Sequence, residues 1–495
     1  MTRVAVVDMG SNSFRLVVYG YEPGESWAIT DEIREAVRVG EGLEASGELS
    51  EPAMLRAVAT AGVYADFCRA SGIESIEAVA TSAIRDASNQ AELLGRLPLA
   101  PRILSAEEEA RYAYIAIANS TTLEDGIGLD IGGGSVQLME IADRRLERTG
   151  SWPLGAVRVS ERFLADGESK KEVKALRKAV AEAVEGWQGE RIAAVGGTVR
   201  NLAAAALKRE GLGQLDVQGY QMTRDALGDL IDELASRDPG ERGRVPGIKP
   251  DRGDVILGGA LVLDAVLEAG GFDRVEVTEA GLREGIFFER FLNDSREPLL
   301  EDVRGDAVFN LSRRFHYEPR HTEHVTRLSL ELLDGLNREG IVPVSTEARD
   351  ITWAAGMLHD TGAAIDYDDH HKHSHYLILS TGLPGWTPRE LVLIALAARY
   401  HRKGDPDASE LGTLEEKGDA KLLALISGIL RMAEQLERSR DGAVRSVEVS
   451  AENGTVRVGV EGVSDESVPV WSARRNSALL ASALGREVEV VGDGG

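Results

Sequence analysis

Residues 4–19 read VAVVDMGSNSFRLVVY, and residues 126–141 read GIGLDIGGGSVQLMEI. Each is an apolar, β-branched run that ends in an aspartate, then a glycine-containing turn, then a second apolar run. That grammar predicts strand, tight turn, strand. It occurs twice, with Asp8 and Asp130 separated by 122 positions. Such a repeat is what two related α/β halves facing a cleft would give.

The surrounding sequence extends both halves. After the first hairpin, residues 50–72 predict a helix, with Ser50-Glu51-Pro52 as N-cap and first turn and Gly72 just past the end. SIEAVAT (75–81) then repeats the strand signal. After the second hairpin come a charged helix near 169–188, a strand and glycine turn leading into a helix at RIAAVGGTVRNLAAAAL (191–207), and closing segments to about residue 293. Composition changes after Asn293-Asp294-Ser295. Apolar residues at spacings of three and four then predict helices to about residue 440, and all nine histidines fall within this stretch. The last 50 or so residues return to alternating strands around NSALLASAL (476–484). The expected organisation is α/β over 1–125 and 126–298, all-α over 299–440 and a small α+β unit over 441–495.

A chain of 495 residues is too long for one core. Its single cysteine, Cys68, excludes an internal disulfide framework and fits a reducing compartment. No apolar stretch approaches the ~20 residues of a membrane span, and no leader pattern stands at the start, so a cytoplasmic location without membrane contact is expected. The net charge of −26 argues against general nucleic-acid binding. A polyanionic substrate stays possible if a local basic channel exists on the acidic protein.

The two turns carry the first chemistry. Gly10 permits close backbone approach, successive N–H groups there can cradle a phosphate, and Ser11, Asn12 and Ser13 add donors. Gly132, Gly133, Gly134 and Ser135 provide the same equipment in the second half. VVDMGSNSFRLVVY resembles the DxGSNSxRL signature of the Ppx/GppA phosphatases, and LDIGGGSVQL resembles their DIGGGSTEL. ATSAIRDASN (80–89), LSAEEEARYAYIAI (104–117), VGGTVRNLA (195–203) and EAGLREGI (279–286) are similar to further motifs of that family, in the same order.

The resemblance implies two actin-like, ribonuclease-H-like halves of the kind shared by actin, Hsp70 and the acetate and sugar kinases. It implies Glu109 as the catalytic carboxylate that activates water and Arg85 as an arginine reaching the transferring phosphate. Gly197 and Thr198 join the phosphate-binding loops, while Asp8 and Asp130 handle Mg²⁺ or another divalent cation. No organic cofactor is implied. Gln137 stands where the family pattern has glutamate, and is expected to meet the metal only through water. The implied substrates are inorganic polyphosphate or guanosine pentaphosphate, and the implied assembly is a homodimer. Two further classes stay open. One is a kinase of the same fold, for which no separate base motif is present. The other is a non-catalytic nucleotide sensor, which the retained Glu109 opposes.

The helical region resembles the third, HD-like domain of long exopolyphosphatases, through HTEHVTRLSLELLD (321–334), LHDTGAAI (358–365), HHKHSHYLI (370–378) and ARYHRK (398–403). His321, rather than His324, takes the first ligand position by register, followed by His359 and Asp360. The fourth ligand, normally aspartate, is replaced by Glu434, leaving a possible second metal site. Arg313, Arg314, Arg320, Arg327, Arg399, Arg402 and Lys403 lie near these histidines in sequence and suggest a basic path for a long polyanion.

Overall fold

The computed structural model describes residues 1–165, 169–292, 297–452, 454–465 and 467–493. The expected junction at Asn293-Asp294-Ser295 lies outside them. The chain forms two compact units, residues 1–213 with 217–303, and residues 304–495 with 214–216.

The first unit holds two sheets built to one plan. In the first, strands β1 (Thr2–Met9), β2 (Phe14–Glu22), β3 (Ser26–Glu35), β4 (Ile76–Ala80) and β5 (Arg102–Ile103) lie in the order β3-β2-β1-β4-β5. The hairpins β1–β2 and β2–β3 are antiparallel, while β4 joins β1 and β5 joins β4 in parallel. In the second sheet, β6 (Gly126–Ile131), β7 (Val136–Ala142), β8 (Arg145–Trp152), β9 (Ile192–Val195), β10 (Tyr220–Thr223) and β11 (Arg274–Val277) lie in the order β10-β11-β9-β6-β7-β8. Apart from the added edge strand β10, this repeats the first sheet, with β6 in the place of β1. The duplication read from the two hairpins is thus a duplication of whole sheets. It also matches positions: Asp8 faces Arg15 across the first hairpin, and Asp130 faces Gln137 across the second.

The near-continuous apolar run of β1 follows from burial on both faces. Val4 and Val6 enter a core shared with the helices Ala106–Ala118 and Leu282–Phe291, while Ala5, Val7 and Met9 enter the core beneath helix Glu51–Ala70. That last helix starts as expected, with Ser50 Oγ accepting the Ala53 amide. Strands β3 and β8 have no counterpart in the sequence reading. Most of their residues are exposed or half-buried, so they carry no apolar signal.

The second unit begins with helices Val303–Arg314, Pro319–Arg338, Thr346–Leu358, His370–Thr381, Pro388–Tyr400 and Asp419–Leu436. A sheet of β12 (Ser446–Glu452), β13 (Thr455–Ser464) and β14 (Glu487–Asp493) follows. Val447, Val449, Val456, Val458 and Val490 pack with Leu328, Leu332, Ile429 and Met432, so strands and helices share one core. NSALLASAL forms a helix over Ala478–Leu484, and Val468–Arg475, which carries no periodic signal, forms another. No helix among the described residues is long and apolar enough to cross a membrane.

Candidate active site

Three consecutive glutamates, 107 to 109, open the helix Ala106–Ala118, and the helix start assigns each a different environment. Ser105 is the N-cap: its Oγ accepts the Glu108 amide at 3.1 Å, and Glu108 Oε2 accepts the Ser105 amide at 2.8 Å. This capping box keeps Glu108 at the helix end. Glu107 faces solvent, and Glu109, one residue further round the helix, is 7% exposed. Ser105→Ala is expected to cost about 1 kcal/mol, read as a lowered unfolding free energy in urea.

Glu109 opens into a cavity of about 390 Å³ lined by both glycine turns and by residues of both sheets. Burial pushes its carboxyl up to about 7, against the lowering pull of Arg85. Arg85 Nη1 donates to Glu109 Oε1, and Gln137 Nε2 donates to Glu109 Oε2 at 3.1 Å. A half-neutralised carboxylate held from two sides is suited to orient a water and take its proton near neutral pH.

The turns approach one another closely. A Cβ on Gly134 would come within 2.4 Å of Ser82 Oγ and 2.9 Å of Ser11 Oγ, and one on Gly133 within 3.2 Å of Ser11 Cβ. Gly196, at φ 107° and N-terminal to the helix Gly197–Arg209, would bring a Cβ within 2.8 Å of Asp130 Oδ1. These positions leave room for a ligand's oxygens beside backbone amides.

The cavity is also rich in cations. Arg15, Arg34, Arg200, Lys249, Arg252 and Arg283 line it. Burial pushes Arg252 down to about 10, helped by Arg34, and Arg15 also to about 10, helped by Arg283. Buried Nε atoms of Arg15, Arg252 and Arg283, and Nδ2 of Asn12, have no hydrogen-bond partner among the described residues. Six cationic side chains around one cavity point to an anionic ligand.

The sequence-derived residues fall into place unevenly. Asp8, Gly10, Ser11, Asn12, Ser13, Glu109, Asp130, Gly132, Gly133, Ser135, Gln137 and Gly197 all line the cavity. Arg85, Gly134 and Thr198 do not. Arg85 donates to Glu109, Asp86 and the Leu104 carbonyl, and so holds Glu109 in this structure. Thr198 is buried against Gly259, where a Cβ would come within 2.4 Å of its methyl.

The Gln137 amide donates to Glu109 and, at 2.8 Å, to Ser135 Oγ, which braces the carboxylate. Asp8 accepts from Arg283 Nη1 at 3.2 Å, and burial raises both Asp8 and, to about 6, Asp130. Two half-buried carboxylates at strand ends on one cavity fit Mg²⁺, which uses few protein carboxylates and completes its shell with water and phosphate oxygens.

The six cations were missed as site residues. Arg15, Arg200 and Arg283 stand inside quoted motifs, whose glycines and acids drew the reading. Arg34, Lys249 and Arg252 lie in segments with no motif, and only the fold brings them to the cavity.

In the second unit, His321, His359, Asp360 and Glu434 do meet. His321 Nε2 lies 3.1 Å from Glu434 Oε2 and 3.5 Å from Asp360 Oδ2, and His359 Nε2 lies 3.4 Å from Glu434 Oε2. His324 is turned away, with Nε2 at 2.9 Å from the Val444 carbonyl. His370 and His401 also reach Asp360, neither having been singled out as a ligand.

Comparison with known proteins gives a consistent picture. Residues 17–294 match the profile of the Ppx/GppA phosphatase family, and residues 303–486 match that of Ppx/GppA phosphatase, domain III. The chain is similar to the Ppx/GppA family member of Aquifex aeolicus, at 28% identity and a TM-score of 0.51, over 59% of this chain and 99% of that one. It is similar to an exopolyphosphatase-like protein at 25% identity and a TM-score of 0.52, over 58% of this chain and 96% of that one. An exopolyphosphatase from Cytophaga hutchinsonii shares the fold at 21% identity and a TM-score of 0.55, over 59% of this chain and 98% of that one.

Proposed function

This chain belongs to the Ppx/GppA phosphatase family, and from that premise we propose that it is an exopolyphosphatase, releasing orthophosphate from the end of inorganic polyphosphate. The observation that carries this reading is the pairing, in one cavity, of a buried Glu109 with a carboxyl near 7 and six cationic side chains, Arg15, Arg34, Arg200, Lys249, Arg252 and Arg283. The repeated sheet order supports two actin-like halves, 1–125 and 126–298. The domain III match supports an HD-like helical domain over 299–440, followed by a small α+β unit over 441–495.

In this mechanism the terminal phosphoryl oxygens accept from the amides of the Gly10–Ser13 and Gly132–Ser135 turns and from Arg15 and Arg252. Glu109 orients a water in line with the terminal phosphorus. The water oxygen bonds to phosphorus, its proton passes to Glu109 and the bridging P–O bond breaks, leaving a shortened chain and orthophosphate. Gln137 and Arg85 hold the carboxylate in place throughout. A divalent cation held by Asp8 and Asp130 would neutralise charge on the phosphoryl oxygens.

Glu109 must be ionised to act. Its raised value places the acid limb of kcat/KM at about 7, with activity falling as pH drops through it. Gln137→Glu would set a second carboxylate about 3 Å from the first, so the pair would share a proton. The limb is expected to move up by roughly one to two pH units, and an unmoved limb would remove Gln137 from this role. Substrate is assigned by orthophosphate release from long-chain polyphosphate, guanosine pentaphosphate and ATP, each with Mg²⁺ at low salt. Preference for polyphosphate is the expected result. Preference for guanosine pentaphosphate would give the phosphohydrolase of that nucleotide instead, and nucleotide binding without turnover on any substrate would give a sensor.

A further inference from the structure

Glu109 is held by Arg85, and what holds Arg85 comes partly from the side of the second sheet. Arg85 and Asp86 end the short helix Ser82–Asp86, which follows β4. Adjacent residues of a helix do not face one another. These two nevertheless meet: Arg85 Nε donates to Asp86 Oδ1 at 3.1 Å. Nη1 of the same guanidinium donates to Glu109 Oε1 and, at 2.9 Å, to the Leu104 carbonyl. The other oxygen of Asp86, Oδ2, accepts from Arg158 Nη2 at 2.5 Å.

Arg158 stands on the helix Ala156–Phe163, which is seated on the second glycine turn. The Gly132 carbonyl accepts the Ala156 amide at 3.0 Å, and the Gly133 carbonyl accepts the Val157 amide at 2.8 Å. Further along, Glu161 Oε1 accepts the Gly42 amide, from the side of the first sheet, at 3.2 Å. Glu44 Oε2 also lies 4.0 Å from Arg158 Nε. The helix that carries Arg158 is thus tied to both sides.

Glu109, Arg85, Asp86 and Arg158 form a series of alternating charge. The two inner members give different atoms to each neighbour, so the path is unbroken. The Arg158, Arg85 and Glu109 side chains are 14%, 21% and 9% exposed, and Asp86 is the most open member at 36%. Solvent therefore competes little for most of these charge-assisted bonds, which hold direction as well as distance. Of the four, Glu109 alone lines the cavity.

The position of this path matters for the chemistry. Glu109 stands on the helix that follows β5 of the first sheet, whereas the Gly132–Ser135 turn belongs to the second. The group that directs the water and one of the turns that holds the phosphate therefore come from different sheets. An error of about 1 Å between such groups costs roughly 10²-fold in rate.

We propose that Asp86 and Arg158 are positioning residues for the reaction: acting through Arg85, they set the Glu109 carboxylate in register with the Gly132–Ser135 turn on which the helix of Arg158 is seated. The inference rests on Glu109 acting as the base.

The test is steady-state kinetics on long-chain polyphosphate and on guanosine pentaphosphate, with Mg²⁺, for Arg158→Met, Asp86→Asn and the two combined. Urea denaturation establishes that each variant is folded. Asparagine can accept from only one of the two arginines, so Asp86→Asn breaks the path while keeping the side-chain shape, and it carries the test if Arg158→Met does not fold. Either change is expected to lower kcat roughly 10- to 100-fold with KM unchanged. The combination is expected to lose no more than the worse single variant, because both cut one path. Added to Glu109→Gln, either change is expected to cost nothing further. A full kcat in a folded variant, a rise in KM alone, or an equal further loss on top of Glu109→Gln overturns the proposal and leaves Glu109 as the base. Full turnover in Glu109→Gln alone removes the base itself, and this proposal with it.

Discussion

Replacing Glu109 with glutamine lowers the rate of orthophosphate release by about 10²- to 10⁴-fold at pH 8, the span that a positioned general base contributes. The substitution keeps the side-chain shape and removes only the basic oxygen. Both carboxylate oxygens of Glu109 accept, one from Arg85 and one from Gln137. A glutamine there must turn its NH₂ towards one of those donors, so a stability change of about 1–3 kcal/mol is also expected. Rate measurements are therefore paired with a urea denaturation curve. A rate loss with the folded fraction intact is the expected outcome. Retained turnover in folded protein would mean that another group takes the proton.

Arg283→Met is expected to destabilise the first unit by about 3–5 kcal/mol, the loss that follows removal of one partner from a buried ion pair. Arg283 is 6% exposed and donates to Asp8 across the join between β1 and the helix Leu282–Phe291. Burial lowers its proton affinity, but Glu284 and Asp8 more than restore it. Glu284 is itself fixed by the Tyr19 hydroxyl and the Gly281 amide, both at 2.8 Å. Methionine fills similar space but leaves the half-buried Asp8 with only Arg15 to offset its charge. Pairing it with Asp8→Asn removes that charge, so the two changes are expected to be less costly together than their sum. Additive costs in urea denaturation would separate Arg283 from Asp8 energetically.

The parts of this molecule that were legible in the sequence are those set by short-range grammar. Strand, turn and strand at 4–19 and 126–141 gave both hairpins, because apolar runs and glycine turns act over a few residues. Strand β3 was not legible, because it borrows its hydrogen bonds from β2 and buries little. Glu109 could be chosen from three adjacent glutamates only through resemblance to a motif. The Ser105–Glu108 capping box offered an independent clue, since it ties down Glu108 and leaves its neighbour to turn inward. Arg34, Lys249 and Arg252 reach the cavity only through the fold, and no local pattern marks them. Gln137 was noticed as a departure from the family pattern. Its bond to Glu109 joins a strand to a helix 28 positions away and could not be read in advance. His370 and His401 escaped for the same reason, as their meeting depends on how two helix ends pack.

The central claim is that water attacks the terminal phosphorus of a phosphoanhydride. The direct measurement is turnover of polyphosphate in ¹⁸O-labelled water, followed by mass analysis of both products from a single turnover. One labelled oxygen in the released orthophosphate, and none in the shortened chain, is the result expected from Glu109-directed attack. Unlabelled orthophosphate with label in the remaining chain, or phosphate passed to an acceptor other than water, would contradict it.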